Sequence, residues 1–157
     1  MSTPAAGLVA RLVRRGETVA TAESLTAGLV CAALTEVPGS SAVVRGGLIV
    51  YATDLKTTLA DVDAALLAEH GAVHPDVAVQ LADGARRRCG ADWGLGLTGA
   101  AGPDPQDGAA PGTVYIGVTG VGVCAGRSLR LPGDRHAVRA ASVTAALELL
   151  AEQLDRR

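Results

Sequence analysis

ETVATAESLTAGLVCAALTEVPG, residues 17–39, decides how this chain is read. ETVATAE (17–23) has the composition of a short strand, and LTAGLVCAALTEV (25–37) reads as a helix of small residues closed by Pro38-Gly39. Ser24 sits at the joint. A strand that runs straight into a helix is the unit of a layered α/β domain, and in open α/β sheets ligands bind at the carboxyl ends of strands. A Ser at such a joint has its hydroxyl near backbone N–H groups of the helix start. Those donors suit an anion or an oxyanion, and they equally suit an ordinary N-cap.

The same alternation extends outward. Residues 5–15 place Leu8, Val9, Leu12 and Val13 on a helical stripe. AVVRGGLIVYA (42–52) is a β-branched strand whose Gly pair predicts a bulge or a close backbone approach. DLKTTLA and VDAALLAEHG follow as two short helical pieces, and Pro75 opens a helix over PDVAVQLADGARRRCG. DWGLGLTG (92–99) is a strand, and GLGLTG matches a Gly-x-Gly-x-x-Gly spacing only inside it. TVYIGVTG and AGRSLRLPG make a hairpin, and Asp134 caps a last helix over 135–154. The pattern predicts one three-layer α/β/α domain over residues 1–157 with a mixed sheet.

Composition sets the limits. The chain has 157 residues, 48% hydrophobic and 19% charged, with no Phe, one Trp and two Tyr, so Ala, Val, Leu and Ile must build the core. A net charge of −2 carries no basic footprint for nucleic acid. The run ARRRC (85–89) reads as a solvated helix face. No apolar stretch reaches membrane-spanning length. Cys31, Cys89 and Cys124 match no zinc or disulfide spacing and read as buried thiols of a cytoplasmic protein. His70, His74 and His136 have no partner at metal-ligand spacing, so neither a metal nor a cofactor is expected.

Three further stretches could carry chemistry. VYATDLKTTL (50–59) holds the only lysine beside thirteen arginines. A guanidinium cannot give up its proton in a protein, whereas a desolvated amine can, so a general base here must be Lys56. A chance surface lysine is the alternative. Tyr51, five residues earlier, could relay a proton or simply pack with a wet tip. GAAGPDPQDGAAPG (99–112) is too long for a tight turn. Thr98, Gly99, Ala100, Ala101 and Gly102 could bring successive N–H groups to an anion, or form a plain surface loop. Arg135 and Arg139 share a face of the last helix and could clamp a phosphate or meet solvent. Ser plus Lys suits amide hydrolysis, and the anion elements suit a phosphorylated substrate.

TAESLTAGLV, SSAVVRGGLIVYATDLKTTLADV, GAVHPDVAVQLADGAR, LTGAAGPDPQDGAAPGTVYIGV and LPGDRHAVR occur in that order between residues 21 and 139, within a likeness that covers roughly residues 5–152. Together they resemble the CinA C-terminal domain family of the nicotinamide-nucleotide amidase type. The resemblance implies hydrolysis of the carboxamide of nicotinamide mononucleotide to the acid and ammonia, in pyridine-nucleotide recycling. It implies Ser24 as nucleophile, Lys56 as base and Tyr51 as their companion. Thr26, Thr98, the 99–102 loop, Arg135 and Arg139 are then expected to bind substrate, with N–H groups near residues 25–28 holding the oxyanion.

The family often self-associates, which implies a homo-oligomer whose partner is a small nucleotide rather than nucleic acid or membrane. Nothing here matches the molybdopterin-binding-like domain that some members carry, so a stand-alone form is expected. The sequence departs from the family's usual pattern at Leu25 and Ala27 after the serine, at Pro105-Gln106 in the loop and at Ala110-Pro111 before Gly112. Those departures keep open two alternatives: a nucleotide-binding or regulatory module without hydrolysis, and an amidase for another phosphorylated amide.

Overall fold

The computed structural model describes residues 3–157. The elements run α1 (Pro4–Arg15), β1 (Val19–Glu23), α2 (Leu29–Thr35), β2 (Val44–Ile49), α3 (Thr53–Ala60), α4 (Ala64–His70), α5 (Pro75–Cys89), β3 (Trp93–Gly99), β4 (Thr113–Gly120), β5 (Val123–Arg130) and α6 (Arg135–Asp155). A short 3-10 turn at Ser40–Ala42 leads into β2. The sheet order is β2-β1-β3-β4-β5. β2, β1 and β3 are parallel, and β4 and β5 join antiparallel. The α/β/α layering with a mixed sheet is therefore as the sequence predicts.

Each face of the sheet has its own core. Leu8, Leu12, Leu34, Leu95, Leu97, Ile116 and Leu150 bring α1, α2 and α6 onto one face. Val50, Ala60, Val77, Leu81 and Ala85 bring α3, α4 and α5 onto the other. With no Phe available, the α5 side is closed by removing side chains instead of enlarging them. Alternation along GLGLTG points Leu95 and Leu97 to the α6 side and Gly94 and Gly96 to the α5 side. A Cβ on Gly94 would lie 1.9 Å from the Ala82 carbonyl oxygen, and one on Gly96 2.2 Å from that of Ala78. A Cβ on Gly117 would meet the Ala78 oxygen at 2.6 Å. The helix backbone thus rests directly on the sheet.

Local differences from the sequence reading have physical causes. The helix expected over 25–37 begins only at Leu29, because residues 24–28 form a turn with Ala27 at φ 48° and Gly28 at φ 100°. The bulge expected at the Gly pair is present: the β1–β2 register steps from Val44 to Gly46. Gly47 is the close approach, where a Cβ would stand 2.5 Å from the Thr21 hydroxyl oxygen. Val13 is exposed instead of lying on the buried stripe, since α1 buries only its Leu8–Val9–Leu12 side. The thiols are not the buried set expected: Cys31 and Cys89 are half-buried, and Cys124 is exposed on the edge strand β5.

The chain leaves β1 for β2 through α2 and returns across β1 to β3 through α3, α4 and α5. β1 and β3 thus lie side by side while their connections diverge, which is the place where α/β sheets open a crevice at the strands' carboxyl ends. The turn after β1 and the loop after β3 meet there.

Candidate active site

A cleft of about 290 Å³ lies at that edge, lined by Ser24, Tyr51, Ala101, Gly102, Asp104 and Arg135 among others. Its size is at the lower end of small-molecule sites, roughly 300–1,000 Å³. Four elements supply the lining: the turn after β1, the end of β2, the 99–112 loop and the start of α6.

Ser24 is placed by backbone bonds. Its N–H donates to the Leu97 carbonyl on β3 (3.1 Å), and its carbonyl accepts from the Ala27 N–H (3.1 Å). Beneath it, Glu23 is fully buried and acts as the organising anion. Its carboxylate accepts from the hydroxyls of Thr21 (2.9 Å) and Thr26 (2.7 Å) and from the N–H groups of Gly28 (3.2 Å), Val30 (2.9 Å) and Cys31 (3.0 Å). A carboxylate at a helix start satisfies otherwise orphaned donors and matches the helix dipole. This narrows the expected oxyanion donors. The Ala27 and Gly28 N–H groups are already engaged and Thr26 is fully buried, which leaves that of Leu25 in the cleft lining.

Lys56 is 1% exposed, on the inner side of α3. Its Nζ donates to the carbonyl oxygens of Val50 (2.8 Å) and Tyr51 (3.2 Å). The β1–β2 register ends at the pair Glu23–Ile49, and the Val50 N–H donates to the Glu23 carbonyl (2.9 Å), which places Val50 beside the end of β1. The amine is held on the Val50 and Tyr51 carbonyls, and Lys56 is not itself among the residues that line the cleft. Burial pushes its pKa down from 10.5 to about 8, against a smaller opposing pull from the Asp107 carboxylate. A surface lysine read as chance would show neither feature.

Arg135 and Tyr51 close the cleft mouth. The Arg135 guanidinium donates to the Gly102 carbonyl (3.0 Å) and to the Tyr51 hydroxyl (3.0 Å). Tyr51 is 57% exposed, so its ring is less packed than a core aromatic and its hydroxyl faces the cleft. Gly99, Ala100, Ala101 and Gly102 line the wall, and Gly102 has φ 91°. The Ala100 N–H is spent on the Thr113 carbonyl (2.9 Å), while those of Ala101 and Gly102 are not engaged within the described residues.

Three expected binding residues lie outside the lining. Thr26 is fully buried, with its hydroxyl on Glu23. Thr98 is buried, and its hydroxyl donates to the Ala72 carbonyl (2.7 Å). Arg139 donates to the Leu25 carbonyl (2.9 Å), holding the turn that follows Ser24. All three shape the walls of the cleft from behind. Sequence reasoning missed Glu23, whose signal was a carboxylate directly before Ser24 and Leu-Thr. It also missed Asp107, which carried no recognisable spacing. Among the described residues no group of three or more His, Cys, Asp or Glu side chains could hold a metal ion.

Residues 2–154 match the CinA C-terminal domain, and the chain belongs to that family. It is 48% identical over 143 residues to a CinA-like protein of Frankia casuarinae, covering 91% of this chain and 33% of that protein. It is 49% identical over 142 residues to a CinA-like protein of Mycolicibacterium gilvum, covering 89% of this chain and 34% of that one. The chain thus spans about a third of the length of these curated relatives. Among solved structures, a competence-damaged protein (CinA) superfamily protein of Klebsiella pneumoniae superposes with a TM-score of 0.94 at 30% identity, covering 98% and 97% of the two chains. The competence/damage inducible protein CihA of Agrobacterium tumefaciens superposes with a TM-score of 0.89 at 33% identity, covering 99% and 98%.

Proposed function

We propose that this chain hydrolyses the carboxamide of nicotinamide mononucleotide to nicotinate mononucleotide and ammonia through Ser24 and Lys56. The observation that carries the reading is the state of the lysine. A neutral amine has two N–H groups and one lone pair. Two carbonyl oxygens, those of Val50 and Tyr51, take the two N–H groups, so the lone pair is the one feature left for a neighbouring hydroxyl. With a pKa of about 8, roughly a tenth of the amine is neutral at pH 7.

The Ser24 oxygen attacks the carboxamide carbon as its proton passes to Lys56. The N–H group of Leu25, which lines the cleft, holds the oxyanion. The Lys56 ammonium then returns that proton to the departing nitrogen, which leaves as ammonia with an acyl-serine behind. Water repeats the sequence, freeing the carboxylic acid and Ser24. Arg135, the Ala101 and Gly102 amides and the α6 N-terminus supply the positive side of the cleft for the phosphate. General-base assistance of this kind contributes about 10²–10⁴-fold.

The test is ammonia release from nicotinamide mononucleotide by purified protein. Lys56→Arg keeps the charge and removes the titratable lone pair, and turnover should fall at least about 100-fold. A variant with wild-type turnover would eliminate the amine as base. Binding without ammonia release by the wild type would favour a nucleotide-binding module instead.

A further inference from the structure

The cleft carries two charges of opposite sign that are not paired with each other. Among its lining residues the charged side chains are Asp104 and Arg135. Arg135 directs its donors to the Gly102 carbonyl (3.0 Å) and the Tyr51 hydroxyl (3.0 Å). Asp104 makes no hydrogen bond or ion pair among the described residues. The other carboxylate of the same loop serves the fold: the Asp107 Oδ2 accepts the Ala72 N–H (2.9 Å). Asp104 serves no fold contact, so its charge is available to a guest in the cleft.

The backbone that carries Asp104 is nonetheless held. Gly102 has φ 91°, and its carbonyl accepts from Arg135. It lies so close to Pro111 that an added Cβ would stand 3.2 Å from the Pro111 Cβ. Pro103 and Pro105 flank Asp104 and restrict the chain on either side, and Pro105 steers Asp104 away from helical backbone.

A guest matched to this cleft bears a fixed anion and a separate fixed cation. Nicotinamide mononucleotide has both: its phosphate, and a pyridinium ring whose nitrogen is quaternised by the ribose. The carboxamide hangs on that ring. We propose that Asp104 is a specificity residue that selects the positively charged ring, so that the site takes N-glycosylated pyridinium amides in preference to neutral amides of similar shape. The choice of nicotinamide mononucleotide as guest rests on the function proposed above, whereas the preference for a cationic ring does not require hydrolysis.

The probes are nicotinamide mononucleotide and its reduced, dihydropyridine form, which keeps the carboxamide, ribose and phosphate and loses the ring charge. Titration calorimetry on Ser24→Ala protein reads both affinities without turnover. The cationic ring should bind about 5–10-fold tighter, and the ratio should shrink as salt rises. Asp104→Asn in the same protein keeps the size of the side chain and should bring the ratio to about one. Residue 104 is exposed and unpartnered, so the change leaves the fold intact. Asp54→Asn removes an equal charge outside the cleft lining and should leave the ratio in place. A ratio that survives Asp104→Asn, that is absent from the start, or that is lost equally in Asp54→Asn overturns the assignment, as does failure of both nucleotides to bind. Ammonia release by the wild type reports on the other claim. A ratio that depends on Asp104 without ammonia release upholds the role of Asp104 and removes the hydrolysis.

Discussion

Replacing Lys56 by Met keeps the length of a buried side chain and deletes its titration. The amine has a pKa of about 8 in the folded chain and 10.5 as the ordinary value. Below pH 8 both states carry the proton, and the folded state bears the whole cost of an ammonium out of water. Between pH 8 and 10.5 the unfolded chain binds more protons than the folded one, so stability rises with pH across that window. The full excursion corresponds to about 3 kcal/mol at 1.36 kcal/mol per unit. The adjoining cleft admits solvent, and screening reduces the expected excursion to about 1–2 kcal/mol.

Urea unfolding of both proteins at pH 7 and pH 10 reads it. Wild type should gain about 1–2 kcal/mol relative to Lys56→Met between the two pH values. The bonds to Val50 and Tyr51 that Met also deletes set the offset between the curves, not their relative slope. Stability curves that stay parallel from pH 7 to pH 10 would mean an amine with an ordinary proton affinity, and the proposed base would have no basis.

Two further outcomes follow from the site. Arg135→Ala should raise KM for nicotinamide mononucleotide about 10–100-fold, the worth of a charge-assisted hydrogen bond, and leave KM for the phosphate-free nucleoside almost unchanged; equal losses with both would take Arg135 off the phosphate. Glu23→Gln turns an amide NH₂ toward converging donors and should cost about 2–4 kcal/mol, lowering the thermal midpoint by several degrees; an unmoved midpoint would show that the turn does not depend on the anion.

Much of the fold was legible because it follows from period and punctuation. Alternation along TVYIGVTG and the break at Val121-Gly122 gave the hairpin, and Asp134 gave the start of α6 with its side chain on the Ala137 N–H. The solitary Lys56 was legible because residue choice alone separates a base from a fixed charge. What stayed hidden depends on contacts between distant segments. Nothing in the spacing of Thr98 and Asp107 says that both converge on Ala72, and nothing in Arg139 says that its partner is the Leu25 carbonyl 114 positions away. The late start of α2 was missed for a related reason: small residues at 25–28 have helical composition, whereas the Glu23 carboxylate takes the Gly28, Val30 and Cys31 amides and the Thr26 hydroxyl.

The glycine contact of α5 has a consequence for substrate range. Helices cushioned by side chains can slide by letting those chains change rotamer, but here carbonyl oxygens rest on Gly94, Gly96 and Gly117 with nothing compressible between. α5 begins three residues after Ala72, whose carbonyl accepts the Thr98 hydroxyl, so this side of the domain is indexed to the sheet like a fence bolted to its rail. Room for a bulkier guest has to be made on the opposite bank, in the solvent-facing stretch from Pro103 to Ala110, and variants selected for larger amides should accumulate their changes there.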